Sequence, residues 1–318
     1  MQSAQRMLEY CQIESEAPEN IPQADSLVET QFQGQWPRTG NIIFHNVFLR
    51  YRSELNYALN GLSFSIQGGT KIACVERTGA GKSSIIQALF RMVEIEDIYN
   101  GDTASYIKID GVDIRTIGLH LLRKRLSIIP QTPVVFAGTI RRNLDPFEEY
   151  TDHALWNVLE EVNLKQYISR LENQLNTDMT VSASVFSAGQ KQLICLARAI
   201  LMKSKILILD EATANVDVET DDFIQKKIME KFADCTVLTI AHRLITIAHY
   251  DKVIVMDKGK MVEFDTPYNL LVEKVGDERI TKTDGIFVDM VRNTGKSMSQ
   301  KIFEVSKKLI FSHESANN

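Results

Sequence analysis

The chain has 318 residues, 44% of them hydrophobic and 24% charged, with a formal net charge of −5. That length supports one large domain or two small ones with a full core, and the composition is ordinarily globular. The acidic balance argues against a general nucleic-acid footprint. Cys11, Cys74, Cys195 and Cys235 are scattered without a CxxC pair, and Cys74 and Cys195 lie in apolar runs, which predicts buried thiols and a reducing compartment. The first residues lack the charged start and apolar core of a signal peptide, and the apolar runs, such as Ile206 to Leu209, are strand-sized rather than membrane-spanning.

In chain order, Gln2 to Tyr10 has the spacing of a short helix, and Glu14 to Arg38, rich in Glu, Pro and Gln, is expected to be an extended linker. Asn41 to Tyr51 and Leu62 to Ile66 alternate as strands. Gly68-Gly69 then turns the chain into the strand Lys71 to Val75, and Ile85 to Phe90 is helix-forming. Tyr106 to Ile109 is another strand, closed by an Asp110-Gly111 turn. Helical spacing follows at Asp152 to Val162, Leu164 to Leu171 and Gln190 to Met202. A buried strand, Ile206 to Leu209, ends in Asp210-Glu211. Asp217 to Phe232 is helical, Thr236 to Ala241 a strand, and Lys252 to Phe264 a hairpin turning at Lys258-Gly259-Lys260. The residues from about Thr294 are expected to fray. Strands alternating with helices predict an α/β fold on a mainly parallel sheet.

Between the third strand and its helix lies Thr78-Gly79-Ala80-Gly81-Lys82-Ser83-Ser84, most of a phosphate-binding loop, with Glu76 where its first glycine belongs. Small residues let backbone N–H groups converge on an anion, and the helix presents its positive dipole end. Lys82 would reach the β- and γ-phosphates and the Ser83 hydroxyl would ligate Mg²⁺. Asp210, at a strand's carboxyl end, would lie near the metal, while Glu211 would polarise the attacking water. Ser187 can cap the helix that follows Phe186-Ser187-Ala188-Gly189-Gln190, making a second anion site at its start. Gln131 and His242 each follow a strand, where the amide could reach Mg²⁺ and the imidazole the γ-phosphate.

In this order the motifs make the chain similar to the nucleotide-binding domain of ATP-binding-cassette transporters, over about Gly40 to Glu273. Arg50-Tyr51-Arg52, Asp110-Gly111-Val112-Asp113-Ile114, Asn143-Leu144-Asp145-Pro146-Phe147 and Val262 to Pro267 resemble subfamily C, the multidrug-resistance-associated exporters, and most of all their second, C-terminal cassette. The resemblance implies a P-loop NTPase fold of the ABC ATPase type: a mainly parallel core, an antiparallel β subdomain and a helical subdomain at about 139–203. It implies an N-terminal helix and linker from a membrane domain at 1–39, the cassette at 40–273, and a C-terminal helix and tail at 274–318.

The resemblance further implies two cassettes closing head to tail on ATP and Mg²⁺, with transmembrane domains as partners at the cytoplasmic face of a membrane. Tyr51 would stack on adenine, and Thr78, Gly79, Ala80, Gly81, Lys82, Ser83 and Ser84 would hold the phosphates. Ser83, Gln131 and Asp210 would serve Mg²⁺. Glu211 would be the general base and His242 the γ-phosphate sensor, with Gln131 assisting. Ser187, Gly189 and Gln190 would touch the partner cassette's ATP. Arg141 and Arg142 are expected to be solvated charges. The function implied is ATP hydrolysis powering solute export. The alternative is a regulatory cassette with little turnover, because Glu76 brings a carboxylate and a Cβ to the phosphate loop. The Val181 to Val185 approach to Ser187 is a second departure, being shorter than the subfamily's. A soluble ABC ATPase of translation or DNA maintenance would need paired cassettes, a coiled-coil insertion or basic patches, none of which the sequence displays.

Overall fold

The computed structural model describes residues 2–11, 15–76, 81–97, 104–179, 186–210, 216–241 and 243–316. Helices α1 (Gln2–Cys11) and α2 (Pro22–Gln31) precede β1 (Ile42–Leu49), β2 (Leu59–Ile66) and β3 (Lys71–Glu76). Helix α3 (Lys82–Leu89), β4 (Tyr106–Ile109), β5 (Val112–Asp113), α4 (Leu119–Lys124) and β6 (Leu126–Ile129) follow. A helical stretch comprises α5 (Ile140–Leu144), α6 (Asp152–Glu161), α7 (Lys165–Ser169) and α8 (Ala188–Met202). The chain then runs through β7 (Ile206–Asp210), α9 (Val218–Lys231), β8 (Thr236–Ile240), α10 (Leu244–Ile247), β9 (Lys252–Asp257) and β10 (Lys260–Asp265). It closes with α11 (Ile286–Arg292) and α12 (Lys296–Ala316).

Two sheets result. The larger has the order β10-β9-β3-β8-β7-β6, parallel except for the antiparallel edge strand β10. The smaller, β2-β1-β4-β5, is antiparallel throughout. The inner strands β3, β7, β8 and β9 are covered on both faces, which explains their unbroken apolar runs. Period-two alternation sorts them: Ala73, Val75, Leu207 and Leu209 enter the core shared with α5 to α9. Ile72, Cys74, Ile206 and Ile208 enter the core shared with the antiparallel sheet and α3.

The expected elements are present, with two corrections. The segment 14–38 is not an extended linker, for it contains α2, which Pro22 opens where a missing N–H costs nothing. Asp25 Oδ1 accepts from the Gly118 N–H at 2.7 Å, Glu16 pairs with Arg123 at 2.8 Å, and the buried Trp36 indole donates to the Ile109 carbonyl at 3.2 Å. Nor do the residues after Thr294 fray as expected, for Lys296–Ala316 is helical. Helix α12 buries Ile302 and Phe303, and the Phe303 and Phe311 rings meet Tyr268 at centroid distances of 5.7 and 5.9 Å. Those contacts supply what helix propensity lacks. No helix among the described residues is long and apolar enough to cross a membrane.

Candidate nucleotide site

Parallel strands in register bring their carboxyl ends to one edge of the sheet. Cys74 pairs with Ile240, Asp210 pairs with Ile240 from the other side, and Ile129 pairs with Leu209. Glu76, Asp210 and Gln131, at or just past the ends of β3, β7 and β6, therefore share the rim where ligands gather in open α/β sheets. Gln131 is exposed and Asp210 half-buried. Thr78, Gly79, Ala80, Glu211, His242 and Val181 to Val185 lie outside the described residues.

Helix α3 starts at this rim. Gly81 precedes it with φ of 102°, and a Cβ there would lie 2.3 Å from the Ala58 carbonyl oxygen, so the close approach requires glycine. Lys82 is only 4% exposed, at the positive end of α3. Its N–H donates to Glu76 Oε2 at 3.2 Å, and its Nζ lies 3.8 Å from Glu76 Oε1. Ser83 faces solvent, whereas Ser84 is buried and shares a 2.9 Å hydrogen bond with the Tyr51 hydroxyl. A left-handed glycine, a buried ammonium and an outward hydroxyl fit a polyphosphate. Glu76 brings the opposite charge to this helix start. Beneath the loop, burial pushes the Cys74 thiol up to about 12, with Lys82 opposing and Glu76 adding to the shift.

The Ser187 to Gln190 group forms a separate cluster at the start of α8. The Ser187 Oγ accepts from the Gln190 N–H at 3.1 Å, and the Gln190 Oε1 accepts from the Ser187 N–H at 2.9 Å, a reciprocal cap. Gly189 is buried, and a Cβ there would meet Thr220 Cγ2 at 3.3 Å and Val216 Cγ1 at 3.5 Å. Asp217 in turn caps α9, accepting from the Thr220 N–H and hydroxyl, which holds its carboxyl below the usual value. Arg141 is not a free surface charge, since it pairs with Asp152 at 3.1 Å and lies 3.8 Å from Asp145.

Two positions escape motif reading. Gln192 is fully buried in α8 and donates to the Pro130 carbonyl at 3.0 Å, one residue before Gln131. Arg198 donates to the Val134 carbonyl and to Asn143 Oδ1, pinning the segment after Gln131. The signal available was a buried-face polar residue in an otherwise apolar helix. Among the described residues, no three His, Cys, Asp or Glu side chains cluster to hold a metal.

Residues 59–214 match the family described as "ABC transporter". The chain is 48% identical over 311 residues to human "ATP-binding cassette sub-family C member 4", covering 98% of this chain and 22% of that protein. The chain belongs to the subfamily C cassettes of ABC transporters. It is also 46% identical over 310 residues to a Drosophila melanogaster protein described as "Probable multidrug resistance-associated protein lethal(2)03659", covering 96% of this chain and 21% of that one. A solved structure of a bacterial Atm1-family ABC exporter with ATP bound superposes with a TM-score of 0.75 at 27% identity, covering 92% of this chain and 47% of that one. The cassette thus spans about a fifth of the curated relatives' length.

Proposed function

We propose that this cassette binds and hydrolyses ATP to drive solute export by a subfamily C transporter, and that it is the second cassette of such a protein. The observation that carries the reading is the buried Lys82 behind left-handed Gly81, on the same sheet rim as Asp210 and Gln131. Residues 40–273 would form the cassette, 1–39 its connection to a membrane domain, and 274–318 its C-terminal extension.

Lys82, Gly81 and the N–H groups at the start of α3 would hold the phosphates, and Tyr51 the adenine face. Thr78, Gly79, Ala80 and Ser84 would complete the loop. Ser83, Gln131 and Asp210 would hold Mg²⁺, which neutralises charge on the phosphate oxygens. Glu211 would take the proton of the attacking water, and His242 would report the γ-phosphate. Ser187, Gly189 and Gln190 would complete the site of a second cassette packed head to tail. The Ser187–Gln190 cap keeps that surface rigid.

Attached membrane helices would dock in a cavity of about 1350 Å³ lined by Trp36, Leu119, Arg123, Phe147, Tyr150 and Met202. Leu144 of α5, the helix that follows the Gln131 segment, also lines it, so a change at the nucleotide rim would be felt by the docked helices. The test is a titration of the purified chain with Mg-ATP beside Lys82→Ala. Saturable binding that the variant lacks supports the reading, and identical behaviour of the two proteins overturns it.

A further inference from the structure

The carboxylate of Glu76 does what a phosphate oxygen would do. It accepts from the first helical N–H of α3, at Lys82, and faces the Lys82 ammonium. Both side chains are nearly closed to solvent, at 11% and 5% exposure. An anion at a helix start beside a buried lysine is the chemistry by which such loops hold phosphate. Across the same helix start, Tyr51 and Ser84 are bonded to one another, although both are expected to face nucleotide. Two pairs of groups expected to face nucleotide are therefore in contact with each other.

We infer that Glu76 is a built-in competitor for the phosphate position, holding the cassette in a self-occupied state that nucleotide must displace. The inference rests on the ATP-cassette reading and adds a control element to it. Position 76 is fit for this because it is the last residue of β3, paired in register with Met256, so the sheet fixes its backbone and a turn of the side chain alone would free the phosphate position. With Glu76 turned away, the Lys82 N–H and ammonium are released to the incoming phosphate. The negative charge also discriminates among ligands. A polyphosphate carrying a bound divalent cation approaches the carboxylate at lower electrostatic cost than the bare anion does.

Self-occupancy taxes affinity by the fraction of molecules open to ligand. If about 1–10% are open, apparent affinity falls roughly 10- to 100-fold. The experiment compares the full 318-residue chain with Glu76→Gly and Glu76→Gln, measuring Mg-ATP affinity by calorimetry and the melting temperature with and without inorganic pyrophosphate. The expected result is tighter Mg-ATP binding in both variants. The melting temperature of each variant should be lower without ligand, because the Glu76–Lys82 contact is lost, and should rise further when pyrophosphate is added. Native and variant chains binding Mg-ATP equally well would overturn the competitor while leaving the ATP cassette standing. A Gln variant that behaves as native while the Gly variant tightens would assign the effect to side-chain bulk and overturn the charge competition. Absence of binding in all three would overturn the ATP-cassette reading, and the inference with it.

Discussion

Arg198, near the end of α8, donates from Nη2 to Asn143 Oδ1 at 2.7 Å and from Nε to the Asn143 backbone oxygen. Asn143 is fully buried, and its amide brackets Phe136, accepting from its N–H at 2.8 Å and donating to its carbonyl at 2.9 Å. Arg198 also reaches the Val134 carbonyl at 2.6 Å and stacks over the Phe136 ring. One guanidinium thereby ties α8 to α5 and to the segment leaving Gln131. Arg198→Ala is expected to cost about 2–4 kcal/mol, since buried acceptors lose their donor. Urea unfolding measures it. Arg198→Lys should recover little, because an ammonium cannot span three acceptors in one plane.

Asp110 gathers the start of the cassette. Its carboxylate accepts from the N–H groups of Arg38, Thr39, Gly40 and Asn41 at 2.6, 2.8, 3.2 and 2.7 Å, and from the Thr39 hydroxyl. Burial opposes ionisation, but the bonds from Thr39, Asn41 and Gly40 outweigh it and hold the carboxyl below its usual value. A group whose folded value is depressed contributes stability above its unfolded value, near 3.9, and loses it as pH falls through the folded value. Asp110→Asn should therefore destabilise the chain at pH 7, by about 1–3 kcal/mol from donors left unmatched. The gap between variant and native should shrink below about pH 4, which unfolding curves across that range would show.

The parts of this fold legible in the sequence are those with short-range causes. Residues 72–75 and 206–209 announce themselves by unbroken apolar runs, and Ser187 by its place before an apolar helix. The helix at Pro22–Gln31 was not legible, and a helix towards the C-terminus was implied only by the resemblance, the residues from Thr294 themselves reading as a frayed end. Their stability comes from partners far along the chain, Gly118 for Asp25 and Tyr268 for Phe303. At the site, the types and order of residues were readable. The direction in which Glu76 leaves its strand was not, and neither was the return of Gln190 onto the Ser187 N–H.

Gly81→Ala should impair nucleotide binding at least tenfold. The left-handed backbone costs about 1–2 kcal/mol for any residue with a Cβ. The new methyl would also fall 2.3 Å from the Ala58 carbonyl, forcing the start of α3 to shift. Calorimetry with Mg-ATP checks the affinity, and circular dichroism checks that the fold survives.

Thiol chemistry offers an independent check on the core. Cys11 is exposed, whereas Cys74 is fully buried with its thiol pushed up to about 12. Alkylation with iodoacetamide at pH 8, read by mass spectrometry, should label Cys11 within minutes and leave Cys74 unmodified until urea opens the chain.

The carbonyl of Ala58 has two close glycine neighbours. A Cβ at Gly81 would lie 2.3 Å from it and one at Gly259 2.7 Å, while the Gly259 carbonyl accepts from the Asn60 N–H at 2.9 Å. The entry to the antiparallel sheet, the turn of the β9–β10 hairpin and the start of α3 thus bear on one peptide group, with no side chain between them to absorb a displacement. A tilt of the outer sheet would therefore press directly on the start of α3, and a shift of that helix start would press back on the sheet.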